Sequence, residues 1–451
     1  MNLTKGQKVA YGTGAVGKDM VYALVAGFLM YYYNDTLGIS ATFIGVLFMA
    51  SRLFDAFNDP IMGVVVDKTK TKIGKFRPWL IVGTLLNAII LIFMFRVPES
   101  FSGKSLLMYT SVAYLFWGIT YTMMDIPYWS MIPALTSPGK ERENLSVIAR
   151  SCAGFGYAIP IGLTMVLVPI LGNDNERLGF SYFAIIIAVI FVITIGITTA
   201  FVKEDPKKQI KSPTVKEMFK SLLSNDQAMI VVVAIVMFNT SLYLTQQLAV
   251  YFFKYDIGNA ALFGIFGTVG GLAQIIAMTL LPVLRKKYDC KQLLTRSIAT
   301  TLVGYSMLLI LGILSIKNMA LLSIAAIIIF MGFGLATVLT TIFLADTVDY
   351  GEYKNGQRSE SVIFSLQTFV VKLGSAVSVL IAGIGIDVIK LDKDALTQSA
   401  QTLAGLRFLM IVLPMFGLLM TIIFFNKKYK LTESKLSEIG HSLDQRKASN
   451  D

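Results

Sequence analysis

Two aspartates, Asp55 and Asp59, stand four residues apart in Arg52-Leu-Phe-Asp55-Ala-Phe-Asn58-Asp59-Pro60. On a helix that spacing puts both carboxylates on one face, about one turn apart. Hard cations such as sodium and lithium take oxygen ligands, and a proton competes for the same carboxylates. A plainer reading makes Arg52 and Lys372 neutralise these acids as packing ion pairs, which are poor stabilisers by themselves. We read Asp55 and Asp59 as ligands for Na+, Li+ or a proton.

A second constellation suits a sugar. Tyr121, Asp125 and Trp129 follow one another at i, i+4 and i+8, so a carboxylate acceptor shares a helix face with two aromatic rings. Carbohydrate sites combine polar groups that bridge hydroxyls with a flat ring against the apolar sugar face. The Lys18-Asp19 pair and Arg150 supply further donors and acceptors. Trp129 also fits an interfacial belt, but its partners favour the sugar reading. Thr122 either turns its hydroxyl to Asp55 and Asp59 or packs as an ordinary helix threonine, and spacing does not choose. Farther on, Gln367-Thr368-Phe-Val-Val-Lys372 places Thr368 and Lys372 on one face.

The elements that must position these residues are membrane spans. The chain is 55% hydrophobic and 15% charged, against about 25% charged in soluble domains. Apolar runs of about 20 residues, enough to cross a bilayer core, recur with short polar gaps. They predict about twelve helices, near 8-33, 40-66, 78-96, 105-131, 146-171, 178-201, 228-254, 259-284, 294-315, 319-345, 361-388 and 403-426. The first run is too long for a signal-peptide core and stays as a span.

A charge at the bilayer centre costs about 2.5 to 3.5 kcal/mol on insertion scales, so such residues face partners in a bundle interior. The deep bases are Lys18, Arg52, Arg150 and Lys372, and the deep acids are Asp19, Asp55, Asp59 and Asp125. The acids all fall on helices 1, 2 and 4, so cation binding is expected in the first half, with Lys372 reaching across a central cavity. Arg407, one turn into the last span, is expected to snorkel to the outer surface.

Most of the 40 Lys and Arg lie in the N-terminal arm, the tail and the loops on their side of the membrane. The positive-inside rule therefore puts both termini in the cytoplasm, and the net charge of +12 reflects loops facing anionic lipid rather than nucleic acid. The organisation expected is an N-terminal six-helix bundle, 1-201, a basic cytoplasmic middle loop, 202-227, a C-terminal bundle, 228-426, and a cytoplasmic tail, 427-451. Gly63-Val-Val-Val-Asp67-Lys68, with Gly74-Lys75-Phe76-Arg77-Pro78, closes the second span, and Arg285-Lys286-Lys287 echoes it after the eighth. This placement suggests a duplicated unit.

Two six-helix halves joined by a basic loop, with Gly-x-x-x-Asp-Lys after helix 2, resemble the major facilitator superfamily. Tyr11-Gly-x-Gly-Ala-x-Gly-Lys18-Asp19, Asp55-Ala-x-Asn58-Asp59-Pro60, Thr120-Tyr-Thr-x-Met-Asp125-Ile-Pro-x-Trp129, Ala345-Asp-Thr-Val-Asp-Tyr-Gly-Glu352 and Gln367-Thr-x-Val-Val-Lys372 narrow the match. They resemble galactoside carriers of the glycoside-pentoside-hexuronide:cation symporter family over nearly the whole chain. The resemblance implies an all-α multi-pass protein of the bacterial inner membrane that imports a galactoside such as melibiose with Na+, Li+ or H+. It implies cation positions at Asp55, Asn58, Asp59 and Thr122. It implies sugar positions at Lys18, Asp19, Tyr121, Asp125, Trp129, Arg150, Gln367, Thr368 and Lys372. Thr122 is thereby assigned to the cation by analogy. One departure is Thr337, where those carriers have a second cavity tryptophan on helix 10, so another glycoside, pentoside or hexuronide is the alternative cargo.

No enzyme is expected: the sole histidine, His441, lies in the tail, and no nucleophile-base pair sits among the spans. Cys152 and Cys290 fall in different environments and imply neither disulfide nor metal, and no cofactor is expected. A sugar sensor that does not transport would carry the same site. The tail, with Lys428, Lys430 and Lys435, is read as a basic helix on the inner leaflet, with docking of a cytoplasmic regulatory protein as the second reading. Asp346-Thr-Val-Asp349-Tyr-Gly-Glu352 is either a latch to basic loops or a solvated loop.

Overall fold

A computed structural model describes residues 3–136, 140–203, 224–355, 360–392, 395 and 397–448. The side chains of 56, 57, 60, 64, 67, 133, 140–143, 355, 360–368, 444 and 446–448 also lie outside this description. Most of the expected middle loop, 202-227, and the side chains of Asp67, Gln367 and Thr368 therefore fall outside the described residues.

Among the described residues the fold is entirely helical. Contacts divide the chain into two units, Met1–Ser212 and Pro213–Asp451. The first holds α1 (Lys5–Tyr31, continued by a π-helical turn Tyr32–Thr36), α2 (Ala41–Lys68), α3 (Arg77–Phe95), α4 (Gly103–Leu135), α5 (Lys140–Gly172) and α6 (Glu176–Phe201). The second holds α7 (Asp226–Tyr251, with a π turn Phe252–Asp256), α8 (Ala261–Leu284), α9 (Cys290–Ile313) and α10 (Met319–Asn355). It continues with α11 (Glu360–Val388), α12 (Ala400–Lys428, with a π turn Phe408–Val412) and a tail helix, α13 (Glu433–Ala448). Ten of these helices are long and apolar enough to cross a membrane. The other two of the expected spans, α2 and α4, are as long but carry polar and charged residues such as Arg52, Asp55, Asp59 and Asp125.

Polar caps start the helices where the apolar runs begin. Thr4 and Gln7 form a capping box on α1, and Ser40, Asn175, Asn225 and Asp289 each accept a first-turn N–H. The same packing recurs in both units. The first helix of each packs on the fifth and sixth, and the third and second pack on the fourth. The ends of the first helices match too: Tyr31-Tyr32-Tyr33 and Tyr251-Phe252-Phe253 each enter a π turn that stops at a left-handed glycine, Gly38 (φ 77°) or Gly258 (φ 78°). Only glycine adopts that conformation at little cost, which fixes both helix ends. Ridge-to-backbone packing of α1 explains its glycines: Gly12 lies against Cys152 and Ile148 of α5, and Gly14 and Gly17 lie against Thr198 and Thr194 of α6.

Three expectations are corrected. Arg407 does not snorkel; Nε and Nη2 donate to both oxygens of Asp256 at 2.8 and 2.6 Å. Asp256 was hidden because it follows the apolar run, whereas the π turn carries the helix through it. The acidic motif after Ala345 is not a loop, since α10 runs on to Asn355. Within the second unit, Asp346 accepts from Tyr429 at 3.2 Å, and Lys354 and Tyr350 bind Asp226. The tail does not lie lipid-facing as a free basic helix: Ile439 and Leu443, one turn apart, are buried as α13 packs on α10, and Arg285 pairs with Glu433 at 2.6 Å.

Candidate substrate and cation site

Lys18 is the centre of one cluster. It is 2% exposed on α1, and its ammonium lies 2.9 Å from Asp19 and 2.8 Å from Asp125 of α4. A buried lysine needs such partners, because an unpaired buried charge costs several kcal/mol, about 3 to 5 when one partner of a pair is removed. The same ammonium stands over the Trp129 ring at 4.9 Å, and the Arg150 guanidinium covers that ring at 5.3 Å. Tyr121 donates weakly to the Lys18 carbonyl at 3.4 Å. The structure thus brings Lys18, Asp19, Tyr121, Asp125, Trp129 and Arg150 together. Arg150 enters by stacking, since none of its described contacts is an ion pair.

Asp55 and Asp59 of α2 face α4 at a neighbouring level. Thr122 donates to Asp59 at 3.1 Å. Gly118, one turn earlier, comes so close that a Cβ there would stand 3.3 Å from an Asp55 oxygen. Arg52 approaches Asp55 at 3.8 Å. The Asn58 amide nitrogen is buried with no hydrogen-bond partner among the described residues. The Asp55 and Asp59 carboxylates and the Thr122 hydroxyl therefore gather along one short stretch of α2, an oxygen-donor set that fits an alkali cation. No cluster of three or more His, Cys, Asp or Glu exists among the described residues.

Lys372 is half-buried on α11, in the second unit. Thr337 turns its hydroxyl back to its own helix, donating to the Phe333 carbonyl at 2.7 Å.

Sequence spacing missed three supporting residues. Tyr11 and Tyr128 bind each other's backbone carbonyls, with rings stacked 4.6 Å apart. Tyr22 lies between the two clusters, its ring 5.8 Å from Tyr121 and 5.7 Å from the Arg52 guanidinium. The signal was present: Tyr11, Lys18 and Tyr22 recur at i, i+7 and i+11, one stripe of α1.

Residues 10–433 match the family described as MFS/sugar transport protein. The chain belongs to that family. It is a multi-pass membrane transporter, not an enzyme, of the bacterial inner membrane. The uncharacterized symporter YjmB of Bacillus subtilis (strain 168) is 29% identical over 98% of this chain and 96% of its own length. The raffinose carrier protein of Pediococcus pentosaceus is 29% identical over 98% of this chain and 72% of the carrier. The solved nucleoside transporter NupG superposes with a TM-score of 0.67 at 14% identity, covering 94% of this chain and 100% of that one. That likeness speaks for the major facilitator fold of the transporter, two pseudo-symmetric six-helix bundles.

Proposed function

We infer that this transporter is a symporter that imports a galactoside, such as melibiose, together with Na+, Li+ or H+. The observation that carries the reading is the contact of one helix, α4, with both clusters. Thr122 holds Asp59, and Asp125 holds Lys18. The motif resemblance is to the melibiose permease, and the relation to a raffinose carrier supports a galactoside-like cargo.

The roles follow from chemistry. Asp55 and Asp59, with Asn58 and Thr122, take the cation, which cancels repulsion between the carboxylates. Asp19 and Asp125 accept sugar hydroxyls, Lys18 and Arg150 donate, and Trp129 stacks on the apolar sugar face. Tyr121, Gln367, Thr368 and Lys372 are taken as further sugar positions on the strength of the motif resemblance. Both termini face the cytoplasm, and the units 1-201 and 228-426 rock to switch access. A different glycoside, a pentoside or a hexuronide is favoured by one observation: Thr337 offers no aromatic wall.

Counterflow in proteoliposomes with labelled melibiose, a β-galactoside and a pentoside, each with and without sodium at fixed pH, tests cargo and coupling together. Sodium-stimulated exchange of melibiose is expected. Exchange of the pentoside alone would replace the galactoside, and no exchange of any sugar would reject the site.

A further inference from the structure

On the first unit, at the end of α3, the start of α4 and the start of α6, a groove of about 1080 Å³ runs between the helices. It plays no part in the two clusters described above. Its walls are apolar and open: Phe93 is 55% exposed, Met108 70%, Val112 48% and Phe116 51%. On a spanning bundle such a surface faces hydrocarbon, because the bilayer interior holds no water to cover it. Along α4 the lining extends from Ser105 to Phe116, about 16 Å at 1.5 Å per residue, close to half of a roughly 30 Å bilayer core. The groove is therefore one leaflet deep.

Its mouth is basic. α3 ends at Phe95 and α6 begins at Glu176, so Arg96 and Arg177 lie at the ends of their spans, where headgroups lie. Arg177 gives one N–H to the Val97 carbonyl at 2.6 Å, which anchors its guanidinium at the rim and leaves its other donors. Arg96 is exposed and makes no ion pair among the described residues. Glu99 shares the rim, so two guanidiniums face one carboxylate and the mouth stays positive. Guanidinium forks match phosphate oxygens in a bidentate way.

We propose that this groove is a binding site for an anionic phospholipid, with one acyl chain between α3 and α4 and the phosphate at Arg96 and Arg177. The charge at the mouth selects an anionic headgroup, and the depth selects a chain of one leaflet.

The full chain, purified in dodecyl maltoside, is mixed with dioleoylphosphatidylglycerol or dioleoylphosphatidylcholine at equal mole fraction. Retained lipid is counted by native mass spectrometry, and Tm is followed in parallel. The anionic lipid is expected to stay bound at one per chain and to raise Tm more than the zwitterionic one. Arg96→Gln should weaken its retention about fivefold, the loss of one basic contribution near the membrane surface. Val112→Trp, which fills the groove, should remove it, while Lys317→Gln in the second unit should leave it unchanged. Equal retention of the two lipids by the parent chain, or unchanged retention by Arg96→Gln, would overturn the site. If Val112→Trp does not fold, Arg96→Gln, an exposed rim change, still decides.

Discussion

Tyr11 and Tyr128 each donate a phenol hydroxyl to the other's backbone carbonyl, so α1 and α4 are fastened one turn of α4 from Asp125. The rings are stacked within 13° of parallel, and the Lys18 ammonium lies 5.6 Å from the Tyr128 ring. The staple holds the backbone segments that carry Lys18 and Trp129 at a fixed separation. Tyr128→Phe should lower stability by about 0.5 to 1.5 kcal/mol, the net worth of the one hydrogen bond it removes. Thermal unfolding in detergent checks this, and a Tm equal to the parent's would mean that the staple holds nothing.

Lys18 stands between two carboxylates. Its replacement by leucine should leave Asp19 and Asp125 facing each other without the ammonium that bridges them, at a cost of about 3 to 5 kcal/mol. Asp125→Ala keeps the Lys18–Asp19 pair, so it should fold and yet lose sugar binding. Calorimetric titration with melibiose separates the two effects. Parent-like affinity in Asp125→Ala would move the sugar to another pocket.

Asp59→Cys should abolish sodium-stimulated accumulation while leaving downhill sugar entry. Thr122→Ala, which removes one hydrogen bond to a charged group worth about 1.5 to 3 kcal/mol, should weaken sodium at least tenfold. Uptake driven by a sodium gradient in vesicles reports both. Full sodium stimulation in Asp59→Cys would end the cation assignment.

Tyr22 touches the Asp55–Asp59 cluster through Arg52 and the Lys18 cluster through Tyr121. In the proposed symport coupling is reciprocal, so sugar is expected to tighten sodium by the factor with which sodium tightens sugar. Tyr22→Ala should shrink that factor several-fold, leaving sodium affinity without sugar near the parent value. Titrating each ligand at saturating levels of the other measures it.

Thr337→Trp would supply the aromatic that the resemblance to the melibiose permease implies on helix 10. A gain in affinity for melibiose or an aryl galactoside of about threefold or more, with a single sugar ring unaffected, is the expected result in binding assays, consistent with roughly 0.5 to 1.5 kcal/mol from one added ring contact.

The spans and the grouping of Lys18, Asp19 and Asp125 were legible in the sequence, because bilayer cost and helical spacing leave few other solutions. Asp256 was not: it stands past the last apolar residue of its run, and only the π turn after Tyr251 brings it under Arg407. The fold-back of α13 was equally hidden, since Ile439 and Leu443 are too few to distinguish a bilayer surface from a protein groove. Tyr128 was passed over because its ring reads as one more aromatic beside Trp129, and its partner lies 117 positions away.

Gly118, Tyr121, Thr122, Asp125 and Trp129 occupy one broad stripe of α4, whose one edge meets α2 and whose other edge meets α1. A rigid rod cannot slide or roll along one edge while the other stays still. Whatever displaces α4 at Asp59 therefore moves the carboxylate at position 125 by a comparable amount, without any relay of intervening side chains. In mechanical terms the two clusters share a single piston.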